Sequence, residues 1–143
     1  MSVVVAFWYT DRPLRREEAA AVFERLMEGD ATAAPESVAV DTFRAELLGR
    51  FGRWADRADE AADDYPFASE IEGVPGRFVS FTVSGATPLA VYREVQETAD
   101  RYGLVEYAAA GGFRLPARLA PPSLPARRPR WWERWRRVRA VSK

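Results

Sequence analysis

Arg77 to Ser84, RFVSFTVS, is the stretch on which the fold turns. Val79, Phe81 and Val83 share one face of an extended chain, and Phe78, Ser80 and Thr82 share the other, as side chains alternate along a strand. Val3 to Thr10, VVVAFWYT, carries the same β-branched and aromatic bias and reads as a buried strand. Between these two, the pattern changes to a helical period. Pro13 breaks the first strand and opens a helix over Arg15–Glu28. There Ala19, Val22, Phe23, Leu26 and Met27 make an apolar stripe, Glu17 and Glu18 sit in the first turn, and Gly29 is the stop.

A second helix follows Pro35, with Val40, Phe43, Leu47, Leu48 and Phe51 as its stripe. Gly49 and Gly52 weaken its end. Asp56 to Asp64, DRADEAADD, reads as a frayed turn or a loop, and Ile71 belongs to a short edge strand. Gly73-Val74-Pro75-Gly76 marks a turn. Pro88 opens a third helix that buries Val91, Tyr92, Val95, Ala99 and Tyr102, with Gly103 as a left-handed cap. Leu104 to Tyr107 is the last strand. This order predicts an α+β fold: a two-layer sandwich, with a mainly antiparallel sheet of three or four strands and about three helices on one face.

Composition divides the chain after Gly111-Gly112. Residues 1–112 form the expected α+β domain, with 11 Arg against 20 Asp and Glu for a net −9. Residues 113–143 form a basic tail, with 9 Arg and Lys143 against Glu133 for a net +9. The tail holds five of the ten prolines, which argues against a continuous fold there. Within it, 130–141 can form a short amphipathic helix, with Trp131, Trp135 and Val138 on one stripe.

Absences narrow the chemistry. With neither cysteine nor histidine, a disulfide framework, a Cys or Ser–His nucleophile and the usual zinc sites are excluded. The one lysine is Lys143, and no phosphate-binding glycine loop is present. No enzyme activity, cofactor or metal is expected. No apolar run approaches the roughly 18 residues of a membrane span, and Met1-Ser2-Val3 is not a basic leader, so a cytoplasmic location is expected. Carboxylate chemistry survives at Asp56, Asp59, Glu60, Asp63 and Asp64. Their order matches no calcium loop, however, and the ordinary account of such a run is a solvated face. Trp8 and its neighbours read as core. Trp54 reads as core before anchor. Trp131, Trp132 and Trp135 have no core of their own to enter.

The opening strand with Trp8, Pro13-Leu14 before Glu17-Glu18-Ala19, Phe43-Arg44-Ala45-Glu46-Leu47-Leu48-Gly49-Arg50-Phe51, and Phe78–Val83 followed by a helix and Tyr102–Tyr107 together resemble a group of small bacterial proteins. Some of that group resemble immunity proteins of toxin competition systems. The resemblance spans about residues 3–107. Relatives tend to close the last strand with Tyr-Asp-Pro-Gln, whereas here Tyr107 leads into Ala108-Ala109-Ala110.

The leading expectation is a non-enzymatic binding protein, an immunity-type inhibitor that neutralises a cognate toxin through an acidic surface. The residues assigned to the partner are Asp56, Asp59, Glu60, Asp63, Asp64, Glu70 and Glu72. An acidic body can occlude a basic active site and steer association to it. The alternative is a peripheral adaptor that binds anionic membrane or nucleic acid through Arg130, Trp131, Trp132, Trp135 and Arg136.

Overall fold

The computed structural model describes residues 2–54 and 65–119. Its strands are β1 (Ser2–Tyr9), β2 (Glu72–Val74), β3 (Phe78–Ser84), β4 (Leu104–Ala108) and β5 (Phe113–Arg114). Its helices are α1 (Arg16–Met27), α2 (Val38–Phe51) and α3 (Leu89–Arg101). The α+β class holds, with three helices. The five strands form one antiparallel sheet in the order β2-β3-β1-β4-β5, more than the three or four expected. Register is fixed from Ser2 opposite Ser84 to Trp8 opposite Phe78, and from Val5 opposite Ala108 to Tyr9 opposite Leu104.

A second correction concerns the layers. The sequence predicts helices on one face; the structure has them on both. Val5 and Phe7 of β1, Val79 and Phe81 of β3 and Leu104 of β4 pack against Val40, Phe43, Leu47 and Phe51 of α2 and Val95 and Ala99 of α3. The alternate residues, Ala6, Trp8, Phe78 and Val105, pack with Leu14, Ala19, Phe23 and Leu26 of the α1 side. Three layers result. The central strand explains them: Val5, Ala6, Phe7 and Trp8 are all buried, so β1 needs an apolar cover on each side. Phe7 joins the layers laterally, with its ring 5.1 Å from Phe43 and 5.8 Å from Phe81.

Local chemistry sets the helix ends. Ser37 caps α2, accepting from the Ala39 amide at 3.1 Å. The Arg15 backbone N–H donates to Glu18 Oε1 at 3.0 Å, so α1 starts at Arg16, three residues beyond the Pro13 that heralds it. Gly103 has φ +70° and ends α3 as expected.

The chain does not leave the fold where its composition changes. A hairpin runs through Gly111 and Gly112, pairing Glu106 with Arg114 and Tyr107 with Phe113. Pro116 is fully buried. Arg118 Nη2 donates to Thr10 O at 2.5 Å and to Gly103 O at 2.9 Å, and its guanidinium lies 4.6 Å from the centre of the Tyr9 ring. A Cβ at residue 103 would lie 2.3 Å from Arg118 Nε, so glycine there serves both the left-handed turn and this close contact. Residues 113–119 are thus built onto the sheet.

Candidate functional site

Strand β2 is three residues long and β3 is seven, and beyond β2 the edge of β3 is covered by Ala68 N donating to Thr82 O and Thr82 N donating to Ser69 Oγ, both at 2.8 Å. Glu72 faces Ser80, and Val74 faces Phe78. These side chains therefore lie on the α1 face, where α1 ends at Leu26 and Met27. An open groove of about 640 Å³ results, lined by Leu26, Met27, Arg44, Glu70, Glu72 and Val74 among others, with Phe78 and Ser80 contributing from β3. Met27 belongs to the apolar stripe expected to be buried. It is instead 41% exposed, and Val74 is 39% exposed.

The outer wall is clamped. Gly73 has φ +132°, and a Cβ there would fall 2.1 Å from Phe78 O, so only glycine lets β2 close this tightly on β3. Ile71, expected in the edge strand, lies buried just before it. The turn falls at Pro75–Arg77, one step later than expected, with Arg77 N donating to Val74 O at 2.9 Å. Gly76 then holds the hairpin against α2: its N–H donates to Asp41 Oδ1 at 2.7 Å, and its carbonyl accepts from Ser37 N at 2.8 Å. Arg77 Nη1 donates to Ala34 O at 3.0 Å.

Trp54 stands beside this edge. It is 40% exposed, which corrects the expectation that it closes the core. Its ring meets Tyr65 edge-on at 5.5 Å, and its backbone N–H donates to Glu70 Oε2 at 3.2 Å. The Tyr65 hydroxyl donates to Gly52 O at 3.1 Å.

Of the seven acids assigned to a partner, Glu70 and Glu72 are brought together at this groove. Asp56, Asp59, Glu60, Asp63 and Asp64 lie outside the described residues, as do Arg130, Trp131, Trp132, Trp135, Arg136 and the helix expected over 130–141. The residues flanking that acidic run, Trp54 and Tyr65, are the pair in ring contact next to Glu70.

Charge is more internally balanced than composition suggests. The described residues hold 15 Asp and Glu against 12 Arg, a net of −3. Glu18, Asp30, Glu46, Glu94 and Asp100 each pair with an arginine of the same body. The Arg12 guanidinium and the Arg15 N–H hold the Glu18 carboxyl down at about 2. The Thr32 hydroxyl and Arg25 lower Asp30.

Two other places could be sites. Glu106 is 5% exposed under α3, where it accepts from the Tyr92 hydroxyl and from Gln96 Nε2 at 2.8 Å. Burial, then the Glu106 bond, raises the Tyr92 pKa, so the phenol stays protonated. Beside it, Arg114 bridges to Gln96 O at 3.2 Å and Asp100 at 2.7 Å. This network is closed on itself, and no described buried side-chain nitrogen or oxygen lacks a partner. The second place, between α2 and α3, is a cleft of about 130 Å³ framed by Arg50–Glu94 at 2.9 Å and Arg101–Glu46 at 3.3 Å. Its charges are already matched. Among the described residues, no three acids gather as a metal-ion site, and no helix is long and apolar enough to cross a membrane.

The fold is an α+β body whose sheet ends in the short strands β2 and β5, with the open groove at the β2 edge. No family model, curated protein or solved structure matches the sequence. Sequence reasoning missed Met27, Val74 and Arg44 at this site. Their one available signal was the shortness of β2 between Tyr65-Pro66 and Pro75-Gly76.

Proposed function

We propose that the protein is a non-enzymatic binding protein that takes a basic, partly apolar segment of a protein partner along the β2 edge. In this reading it is an immunity-type inhibitor of a cognate toxin. The observation that carries the reading is the half-exposed Trp54, hydrogen-bonded to Glu70 at the lip of an open groove that also holds Glu72, Met27 and Val74. Tryptophan is the residue type most enriched among binding hot spots, and a sheet edge recognises an extended chain through its backbone. The acids at the groove suit a cationic target, and the five further acids between Trp54 and Tyr65 add to the steering of such a partner. The resemblance to immunity-like proteins supplies the partner class: a toxin with a basic active site.

The test is co-purification with the product of the neighbouring gene, followed by a binding titration across salt. A complex is expected, weakening as salt rises. Trp54→Ala should cost about 2 kcal/mol or more, roughly 30-fold in Kd. Glu72→Lys should act mainly on the association rate. No complex, or one indifferent both to salt and to Trp54, rejects the reading.

A further inference from the structure

We propose that the β2-edge groove is occupied in the free protein by the chain's own basic segment, residues 120–143, which a partner must displace. This rests on the groove being the binding site argued above.

Three observations carry it. The first is where the described chain ends. Arg118, held by Thr10 O, Gly103 O and the Tyr9 ring, fixes Leu119 at the end of the sheet where β1 finishes. The second is where the groove opens. Tyr9 faces Leu104; in the next row Trp8 faces Phe78, and Phe78 faces Val74 of the groove rim. Both features therefore lie at the same end of the sheet. Strands sit about 4.8 Å apart, so crossing from the β1–β4 seam to β2 spans on the order of 10–15 Å. An extended chain covers that in about five residues, and a detour around the sheet end in about ten. Residues 120–143 exceed that reach.

The third is chemistry. Residues 120–143 carry 7 Arg and Lys143 against Glu133, net +7, with Trp131, Trp132 and Trp135 interleaved. The groove offers Glu72, together with Glu70 that already accepts from Trp54 N, against the single cation Arg44 in its lining, beside the exposed apolar surface of Met27 and Val74. Cationic heads meet acids while aromatic faces and arginine stems cover the apolar rim. The occupant is tethered, so its effective concentration reaches the millimolar range, and a weak contact suffices to hold it. A partner then binds only as tightly as it outcompetes this segment, which raises its apparent Kd.

The chain has no cysteine, so Ser123→Cys and Ser142→Cys each give a single nitroxide site in the full-length protein. Paramagnetic broadening is then read on backbone amides. Met27, Glu72, Gly73 and Val74 should lose most of their intensity from at least one label position. The loss should reverse at about 1 M salt, where the Debye length is ~3 Å. It should also reverse in Glu72→Lys, whose exposed site leaves the core intact. A mixture of isotope-labelled chain without nitroxide and unlabelled chain with it should show no broadening. Uniform intensities overturn the proposal, as does broadening confined to other surfaces. Broadening in the mixed sample assigns the groove to a second copy and overturns it equally. No partner is present in this experiment, so failure of the tail to occupy the groove is distinguished from failure of a partner to bind there.

Discussion

Asp41 is the side chain through which α2 holds the outer wall of the groove, and its removal gives the sharpest test of the architecture. In Asp41→Ala the Gly76 N–H, buried in the hairpin, loses the acceptor 2.7 Å away. Leaving such a donor unpaired costs about 1–3 kcal/mol. Asp41 also lies in the first turn of α2, where an acid is worth about 0.3–1 kcal/mol against the helix dipole. The carboxylate itself is exposed, so water can partly replace it and the lower half of the first range applies. The sum is about 1.3–3 kcal/mol. With a urea slope of about 1.5 kcal/mol per M, the midpoint should fall by roughly 0.9–2 M without a change in slope. Asp41→Asn keeps an acceptor and loses only the charge, so it should fall by less than about 0.7 M. Hydrogen exchange localises the effect: protection at Gly76 and Ser37 should collapse in the alanine variant while β1 amides hold. The reasoning is refuted if Asp41→Ala leaves both the midpoint and Gly76 exchange unchanged, or if the asparagine variant is as unstable as the alanine one.

The remaining expectations concern the closed polar network and the acid limb. Glu106→Ala strands the half-buried Tyr92 hydroxyl and Gln96 amide and should destabilise by about 2–4 kcal/mol in denaturant titrations, with Glu106→Gln near 1 kcal/mol; equal effects would mean the network carries no specific bond. Glu18, with its pKa lowered to about 2 in the fold, favours the folded state above its unfolded pKa of ~4.5. That stability is lost as pH falls towards 2, so Glu18→Gln should flatten the acid limb of a stability–pH curve, and a limb of unchanged steepness would contradict this. Tyr92 has the opposite sign: its raised pKa means stability present below about pH 10 and lost as pH climbs through the phenol's folded value, which ultraviolet titration of Tyr92→Phe against the parent would reveal.

Much of the fold was legible, and what escaped did so for physical reasons. Phe78 to Ser84 alternates, and α1, α2 and α3 each carry their own helical stripe, so these elements follow from period alone. The layer count does not. VVVAFWY shows no alternation, the pattern of a strand covered on both sides, and Phe78 is a large apolar residue on the face opposite Val79 and Phe81. Those two signals together demand a second helical layer, and α1 supplies it. The fifth strand was hidden because Phe113-Arg114 is two residues long and sits in a stretch whose proline and arginine content reads as tail. A hairpin through Gly111-Gly112 is specified by its turn and by pairing across to β4, which composition does not measure.

The site was half legible, and the missing half changes the electrostatic argument. Summing residues 1–112 gives −9 and suggests a body whose whole field repels anions and attracts cations. Geometry redistributes that charge. Five of the acids are ion-paired with arginines of the same body, and Arg114 and Arg118 join it from beyond the compositional boundary. Surface pairs of this kind contribute little stability, yet they cancel one another's far field. At −3, the described body steers weakly. What remains uncompensated in composition is local: the run Asp56–Asp64 holds five acids against Arg57, flanked by Trp54 and Tyr65 beside Glu70. On the proposed reading, recognition depends on the β2 edge, where the open groove and the exposed Trp54 lie and after which the acid run follows in sequence, and not on a general acidity of the molecule. A charge-reversed surface elsewhere, such as Glu17→Lys with Glu24→Lys on the exposed side of α1, should leave partner association nearly unchanged, while Glu72→Lys slows it. Equal slowing by both would restore the whole-body field as the cause.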